Sequence, residues 1–422
     1  MTASPGRLRT SSITAPVHAT ILWLFALVPV LFLVRSSAAQ TFTELYAFNS
    51  TGSLSDGGQP EAGVTRDSAG NLYGTTFFGG LGVGCDIYFA GCGIVFKLDS
   101  AGIETVLHAF SGAKDGWNPT ARVILDSAGN LYGTTAYGGA YGRGTVFEVD
   151  AAGIETIVHS FAGGMDGARP NAGLVQDAAG NFYGTTQYGG RGCYGQGCGT
   201  VFRISPSGEE TILYRFGDVP DGASPLGGVA VDSSGTIYGT TWLGGIYSFG
   251  TVFQLDSSGN EAVLHSFAGG DDGANPLDAP VLDAAGNMYG TTAAAGVNFF
   301  GTIFTVDTAG DESVLYSFTG GADGAYPYAH LVVDTSGSLY TSGNLYGTAS
   351  QGGCCGQGSV FEFSGGVLTP LYGFSGAPNG ANPDGQIPVG GLIMDSAGNL
   401  YGTASTAGPD GWGTVFQIQL NN

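Results

Sequence analysis

Basic residues are scarce in this 422-residue chain. Lys and Arg together number 12 against 34 Asp and Glu, and none occurs after Arg215. Nucleic acid, anionic lipid and other polyanions require a basic footprint, so they are poor partners for a chain whose second half has none. Stretches free of glycine and proline are scarce too. Beyond the N-terminal apolar segment, only residues 40–51 form such a run longer than nine residues, which leaves no room for helices of about 10 residues or more. Charged residues amount to 11% and hydrophobic ones to 43%, so disorder driven by self-repulsion is excluded and enough apolar surface remains to offset chain entropy. Glycine, by contrast, is abundant, with 77 copies. Together these features describe an all-β chain of short strands and many tight turns.

The N-terminus follows a different rule. Arg7 and Arg9 precede an apolar run at residues 21–34, and Ser37, Ala38 and Ala39 supply small residues for cleavage. This is the pattern of a secretory signal peptide, and the 14-residue run is short of the roughly 20 that cross a bilayer. Residues 1–39 are therefore read as an export signal and residues 40–422 as one mature domain. That domain is expected to be secreted, extracellular or periplasmic, and not inserted in a membrane after cleavage. It keeps nine basic residues against 34 acidic ones.

Internal repetition sets the fold expected of the mature chain. Tyr-Gly-Thr recurs at Tyr73, Tyr132, Tyr183, Tyr238, Tyr289, Tyr346 and Tyr401. A turn-opening Asp lies upstream of each, at Asp67, Asp126, Asp177, Asp232, Asp283, Asp334 and Asp395. Downstream comes a Gly-Thr-Val-Phe segment with its Phe at Phe96, Phe147, Phe202, Phe253, Phe304, Phe361 and Phe416. A further segment ends in Phe110, Phe161, Phe216, Phe267, Phe318 and Phe374. Each unit thus holds four β-prone runs bounded by turn residues, here labelled a to d. Seven such units predict a seven-bladed β-propeller of four-stranded antiparallel blades. The chain starts with an orphan d strand at residues 43–48 and stops after strand c of the last unit. The N-terminal strand is therefore expected to complete the last blade and close the ring.

The frame Gly173-Leu174-Val175-Gln176-Asp177-Ala178-Ala179-Gly180-Asn181-Phe182-Tyr183-Gly184-Thr185-Thr186 resembles the GloVer tandem repeat of exported bacterial proteins, over nearly all of the mature chain. The resemblance implies a propeller-like fold and no assigned chemistry. The D-x-x-G-N-x-Y turn is more loosely similar to that of NHL-type propellers, which implies an interaction module.

In such a blade the a–b and c–d turns share one face, and the b–c loops and d-to-a crossovers share the other. The a–b and c–d turns are short and uniform, so function is expected on the variable b–c and crossover face and at its channel mouth. All six cysteines fall in b–c loops. Cys85 with Cys92 and Cys193 with Cys198 read as short disulfide staples, each contributing about 2 kcal/mol. The adjacent Cys354 and Cys355 leave three states open: a strained vicinal disulfide, free thiols, or bridges between chains. The pairs lie in different blades, too far apart for one zinc site.

A crossover motif Asp-Gly-x-x-Pro recurs at Asp56, Asp115, Asp166, Asp221, Asp272 and Asp323, with Asn379 taken as the seventh copy. This is turn chemistry. It also raises the alternative of a carboxylate ring near the channel mouth that holds calcium, with Asp271 and Asp272 as the densest candidates. His108, His159 and His265 occupy a position that is Tyr46, Tyr214, Tyr316 and Tyr372 elsewhere, and read as polar-tipped filler between blades. Arg122 and His330 stand where the other copies have Gly or Ala, and are expected at the mouth of the channel from well-separated blades. Trp117, Tyr137, Tyr188, Trp242 and Tyr326 place aromatic rings on the same face, alongside Lys114, Arg143, Arg169 and Arg191. Exposed rings beside polar side chains suit sugar faces or a protein epitope.

The reading that follows is a secreted, non-enzymatic, monomeric propeller without an obligate cofactor. It would bind an extracellular protein or carbohydrate through the b–c and crossover face. Two alternatives stand beside it: a calcium-assisted hydrolase or lyase with carboxylates at the channel mouth, and a structural envelope or matrix protein. An enzyme should concentrate polar residues that break the sevenfold pattern inside the channel, where Arg122 and His330 are the two so identified.

Overall fold

The computed structural model describes residues 40–49, 56–80, 91–112, 114–334, 343–375 and 382–420. The segment read as an export signal lies outside them. Local structure starts at the Asp of each repeat. Oδ1 of Asp67 accepts the backbone N–H groups of Ala69 and Asn71 at 2.9 and 2.8 Å, while Oδ2 accepts the Asn71 side chain at 2.7 Å and the Tyr73 hydroxyl at 3.1 Å. One carboxylate thus closes the turn and anchors the first residue of Tyr-Gly-Thr, which is why the motif keeps its spacing. The arrangement recurs at Asp177, Asp283 and Asp395. Burial alone would raise these carboxyls, but the donated hydrogen bonds outweigh it and hold Asp67, Asp177 and Asp395 below the ordinary range.

Each turn opens a four-stranded antiparallel sheet. In blade 2 the strands a to d are Ile124–Leu125, Leu131–Thr135, Thr145–Val149 and Glu155–Ser160, in that spatial order. Six further sheets repeat the pattern, making a seven-bladed propeller. The innermost strands are the shortest, two residues in every blade except the fourth, where Val229–Val231 has three. Blade 7 is composite: Thr41–Ala47 pairs with Thr414–Gln419, Thr41 facing Gln419 and Ala47 facing Thr414. The N-terminal strand therefore closes the ring, as the phase of the repeat requires. In blade 6, the Asp334 N–H still donates to Asn344 O at 2.9 Å, although six more residues separate the two than in the other copies.

Blades meet through one repeated joint. The Phe that ends strand d packs edge-to-face on the strand-c Phe of the next blade, as in Phe110 on Phe147, Phe267 on Phe304 and Phe318 on Phe361, with centroids 5.1–5.2 Å apart. Phe48 on Phe96 repeats it at 5.2 Å and Phe374 on Phe416 at 5.4 Å, so the joint runs through the closure. Beneath the strand-c ring lies the Gly of Tyr-Gly-Thr. A Cβ on Gly290 would sit 2.6 Å from Cζ of Phe304, so this glycine is required by close approach. A second contact crosses the same boundary. The first Thr of each Tyr-Gly-Thr donates its hydroxyl to a carbonyl entering the next blade, from Thr75 to Ala121 at 3.1 Å, through Thr134 to Ala172, and finally from Thr403 to Ala62 at 2.9 Å. These threonines are buried, and each such bond contributes about 0.5–1.5 kcal/mol.

The outer rim is held by the crossover Asp. Asp221 accepts the Tyr214 hydroxyl at 3.0 Å and the Gly217 N–H at 2.7 Å. Where the Tyr is His, the imidazole takes its place: His265 Nε2 lies 3.4 Å from Asp272 Oδ2, which also accepts the Ala268 N–H at 2.7 Å. The seventh copy differs from the expectation. Tyr372 donates to Asp384 at 2.7 Å, so the motif is Asp384-Gly385-Gln386-Ile387-Pro388, while Asn379 lies outside the described residues. Pro388 is five residues before Ile393, the spacing from Pro119 to Ile124; Pro383 would be too far.

These contacts generate two predictions. Phe304→Ala should lower unfolding free energy by about 3–5 kcal/mol, and Gly290→Ala by about 1–3 kcal/mol through overpacking. In urea denaturation the double variant should lose less than the two single losses added, because removing the ring makes room for the new Cβ; strict additivity would mean the two do not meet. The second concerns pH. Burial, as the main cause, pushes Glu104, Glu210, Glu261 and Glu312, each at the start of a strand d, up to about 7 from 4.5. A carboxyl whose folded value is raised contributes stability that is full below 4.5 and lost as pH rises through about 7. The melting temperature should therefore be lower at pH 8 than at pH 5.5, and changing all four to Gln should flatten that slope. An unchanged slope would refute the assignment.

Candidate functional site

Two regions depart from the sevenfold frame. The first lies on the b–c and crossover face. In each crossover the residue before Pro adopts a left-handed backbone, with φ between 52° and 59° at Gln59, Asn118, Arg169, Ser224, Asn275, Tyr326 and Ile387. Its backbone ties two blades together: the Arg169 N–H donates to Arg143 O at 2.8 Å, and its carbonyl accepts the Gln187 N–H at 3.0 Å. Asn tolerates this conformation, and the Asn side chain reinforces the tie. Asn118 Nδ2 reaches Phe77 O at 2.9 Å and Asn275 Nδ2 reaches Trp242 O at 2.8 Å. Arg169 and Tyr326 give up that bond and present other side chains on the face.

Arg169 uses this freedom to join two blades. Its guanidinium lies 4.5 Å from the Tyr137 ring centroid and 5.4 Å from that of Tyr188, and Trp117 stacks on Tyr137 at 4.5 Å. Backbone bridges Trp117 to Tyr137 and Ala168 to Tyr188 fix the ladder. Beside it opens a cavity of about 530 Å³ lined by Tyr137, Arg143, Arg169, Tyr188 and Gln196 with several glycines. The Cys193–Cys198 disulfide staples the loop that carries Gln196. Of the aromatic residues singled out from the sequence, Trp117, Tyr137 and Tyr188 are brought together. Trp242 and Tyr326 lie apart in blades 4 and 6, Tyr326 packed edge-on against Phe300 at 5.8 Å. Exposed apolar side chains follow on blades 4 and 5, including Ile246, Tyr247 and Phe299, the last 75% exposed.

Cys92 is disulfide-bonded, and its expected partner Cys85 lies outside the described residues. Cys354 and Cys355 are exposed thiols with sulfurs 2.8 Å apart, beyond the bond length of about 2.05 Å, which corrects the vicinal-disulfide reading. The crossover carboxylates sit against strand d at the rim, spent on backbone N–H groups and Tyr or His, and not at the channel mouth. Asp272 accepts the Ala268 and Gly270 N–H groups, and Asp271 is exposed. Among the described residues, His159, Asp166 and Glu210 do bring ligand atoms within 4.8 Å of one another, as one copy of this rim arrangement.

The second region is the central channel. Arg122 and His330 do not stand apart: Arg122 Nη1 lies 3.4 Å from His330 Nε2. Asp278, which the sequence reading missed, completes the group. Its Oδ2 accepts the His330 backbone N–H at 2.8 Å and lies 3.4 Å from His330 Nδ1, while Oδ1 accepts the Ala279 N–H at 2.7 Å. Since a guanidinium only donates, His330 Nε2 accepts from Arg122 and the ring proton sits on Nδ1, facing Asp278. Burial would raise the Asp278 carboxyl, but His330 and the two backbone donors hold it below the ordinary range. Glu61 lines the same cavity, its carboxyl pushed up to about 7 by burial. The signal for Asp278 was present, since the other six copies have Ala62, Ala121, Ala172, Gly227, Ala329 and Gly390 there. Glu61 falls in a column with no consensus.

Comparison with known proteins adds a family. No curated protein matches the chain. Among solved structures, one provisionally named a gluconolactonase is 13% identical and covers 91% of this chain and 93% of its own, with a TM-score of 0.44. A provisionally named 6-phosphogluconolactonase from Bacteroides uniformis is 14% identical over 74% and 84%, with a TM-score of 0.47. A luciferin-regenerating enzyme is 13% identical over 80% and 98%, with a TM-score of 0.45. At this level neither fold detail nor activity carries over from them. The model of the Gloeobacter/Verrucomicrobia repeat, in contrast, matches residues 30–218, 83–278 and 192–343. With most of its length covered by that repeat, and the repeat folded as blades, the chain belongs to the Gloeobacter/Verrucomicrobia repeat family.

Proposed function

We propose that this protein is an exported binding module that takes an acidic glycan in the cleft between blades 2 and 3. The observation that carries the reading is the Arg169 guanidinium set over the Tyr137 and Tyr188 rings at the edge of the 530 Å³ cavity, with Arg143 on the same lining. Four of the nine basic residues outside the signal segment, Lys114, Arg143, Arg169 and Arg191, belong to the crossovers and b–c loops of blades 1 to 3. On a chain this acidic, such clustering supports a local anion-binding surface. Both faces of Tyr137 are covered, one by Trp117 and the other by Arg169, so the arginines and glycine N–H groups supply recognition and the rings hold the arginines in place. The exposed apolar side chains of Ile246, Tyr247 and Phe299 favour a second reading, a protein partner docked on blades 4 and 5.

The mature chain should be retained on an immobilised uronic-acid polysaccharide and released as salt rises, with little retention on a neutral polysaccharide. Arg143→Ala with Arg169→Ala should weaken retention at least tenfold while leaving the melting temperature within a few degrees, and Trp242→Ala should change nothing. Full retention by the double variant would reject the cleft.

A further inference from the structure

The channel holds a second site that the loop-face reading does not use. Its polar end is made by Arg122, Asp278 and His330, and aliphatic side chains, Leu125, Val231 and Leu282 among them, share the lining of a cavity of about 690 Å³ with Glu61 and Gln176. That is the size and character of a small-molecule pocket, in which a few convergent polar groups orient a mostly apolar ligand. These three side chains come from blades 2, 5 and 6, at positions that are otherwise almost all Gly or Ala. Fitting the neck required local clearance: a Cβ on Gly391 would have no room beside the His330 ring.

The electrostatics specify what the cavity would hold. Arg122 is enclosed by protein yet keeps part of its surface toward the lumen. Among the described residues no carboxylate lies within 4.0 Å of it, and its hydrogen bond goes to the His330 imidazole. Asp278 attracts the guanidinium from beyond ion-pair distance, while its oxygens accept from His330 and the Ala279 N–H. The guanidinium therefore keeps donors in the planar fork that matches a carboxylate.

We infer that the channel binds a small amphiphilic carboxylate, with its head on Arg122 and its apolar chain along the inner strands. His330 and Asp278 act as positioning residues: Asp278 fixes the imidazole tautomer, and the imidazole accepts one guanidinium N–H and sets the orientation of the rest.

Hexanoate is the probe, with hexanol and hexylamine as matched controls, added to the mature chain in thermal-shift and calorimetric titrations. Hexanoate should raise the melting temperature in a concentration-dependent way, and both controls should fail to do so. Arg122→Gln should weaken hexanoate binding at least tenfold. Val231→Phe, which fills the lumen and leaves the charges intact, should do the same and decides the matter if the Arg122 variant fails to fold. The Arg143→Ala, Arg169→Ala double variant should bind hexanoate as the unmodified chain does, so failure of the cleft and failure of the channel are read separately. No response to hexanoate, an equal response to hexanol, or undiminished binding by Arg122→Gln or Val231→Phe would overturn the inference.

Discussion

Seven phenylalanine pairs hold this molecule in a ring. Each strand-d Phe meets the next blade's strand-c Phe edge-on, and that ring in turn lies on a glycine with no space for a methyl group. Such pairs contribute about 0.5–1.5 kcal/mol beyond their buried area. Their larger role is geometric: identical joints impose an identical rotation between blades, and seven of them close only because Thr41–Ala47 supplies the missing strand. The threonine-to-carbonyl bonds fix the same boundaries nearer the axis, and the crossover Asp fixes them at the rim.

A frame built this way consumes its own polar groups. The turn Asp residues accept up to four hydrogen bonds each, the crossover Asp residues accept a backbone N–H and a Tyr or His, and the Thr hydroxyls cross to the next blade. The recurrent turn and crossover Asp residues are thereby committed to the frame, which is why a calcium ring reads well from composition and poorly from the hydrogen bonds. What remains available are the departures: Arg169 where Asn118 and Asn275 bond the neighbouring blade, and Arg122, Asp278 and His330 where the axis is otherwise lined by Gly and Ala.

The fold was legible because spacing is a physical quantity in a repeat: the interval from Asp to Tyr is the length of one hydrogen-bonded turn, and the orphan strand at the start has one place to go. The site was legible in part. Arg122 and His330 stood out by column, but their contact across the lumen depends on side-chain reach that a column does not encode. Asp278 was missed one column earlier although it is as irregular. Both Asn379-Gly380-Ala381-Asn382-Pro383 and Asp384-Gly385-Gln386-Ile387-Pro388 fit the crossover pattern, the second with its Asp, and the five-residue distance from Pro to the inner strand selects the second. The role of Arg169 depends on the left-handed backbone before Pro, which its own residue type does not announce.

The account divides the chain into a frame that gives stability and departures that give function, and regularising the channel tests that division. Replacing Arg122 with Gly, Asp278 with Ala and His330 with Gly together removes this half-buried cluster without leaving one of its charges unpaired, a change that is often neutral or stabilising. Thermal unfolding of this triple variant should show a melting temperature at or above that of the unmodified chain, with hexanoate no longer shifting it. A variant that fails to fold, or melts far below the unmodified chain, would show that these residues hold the ring together and would contradict the account.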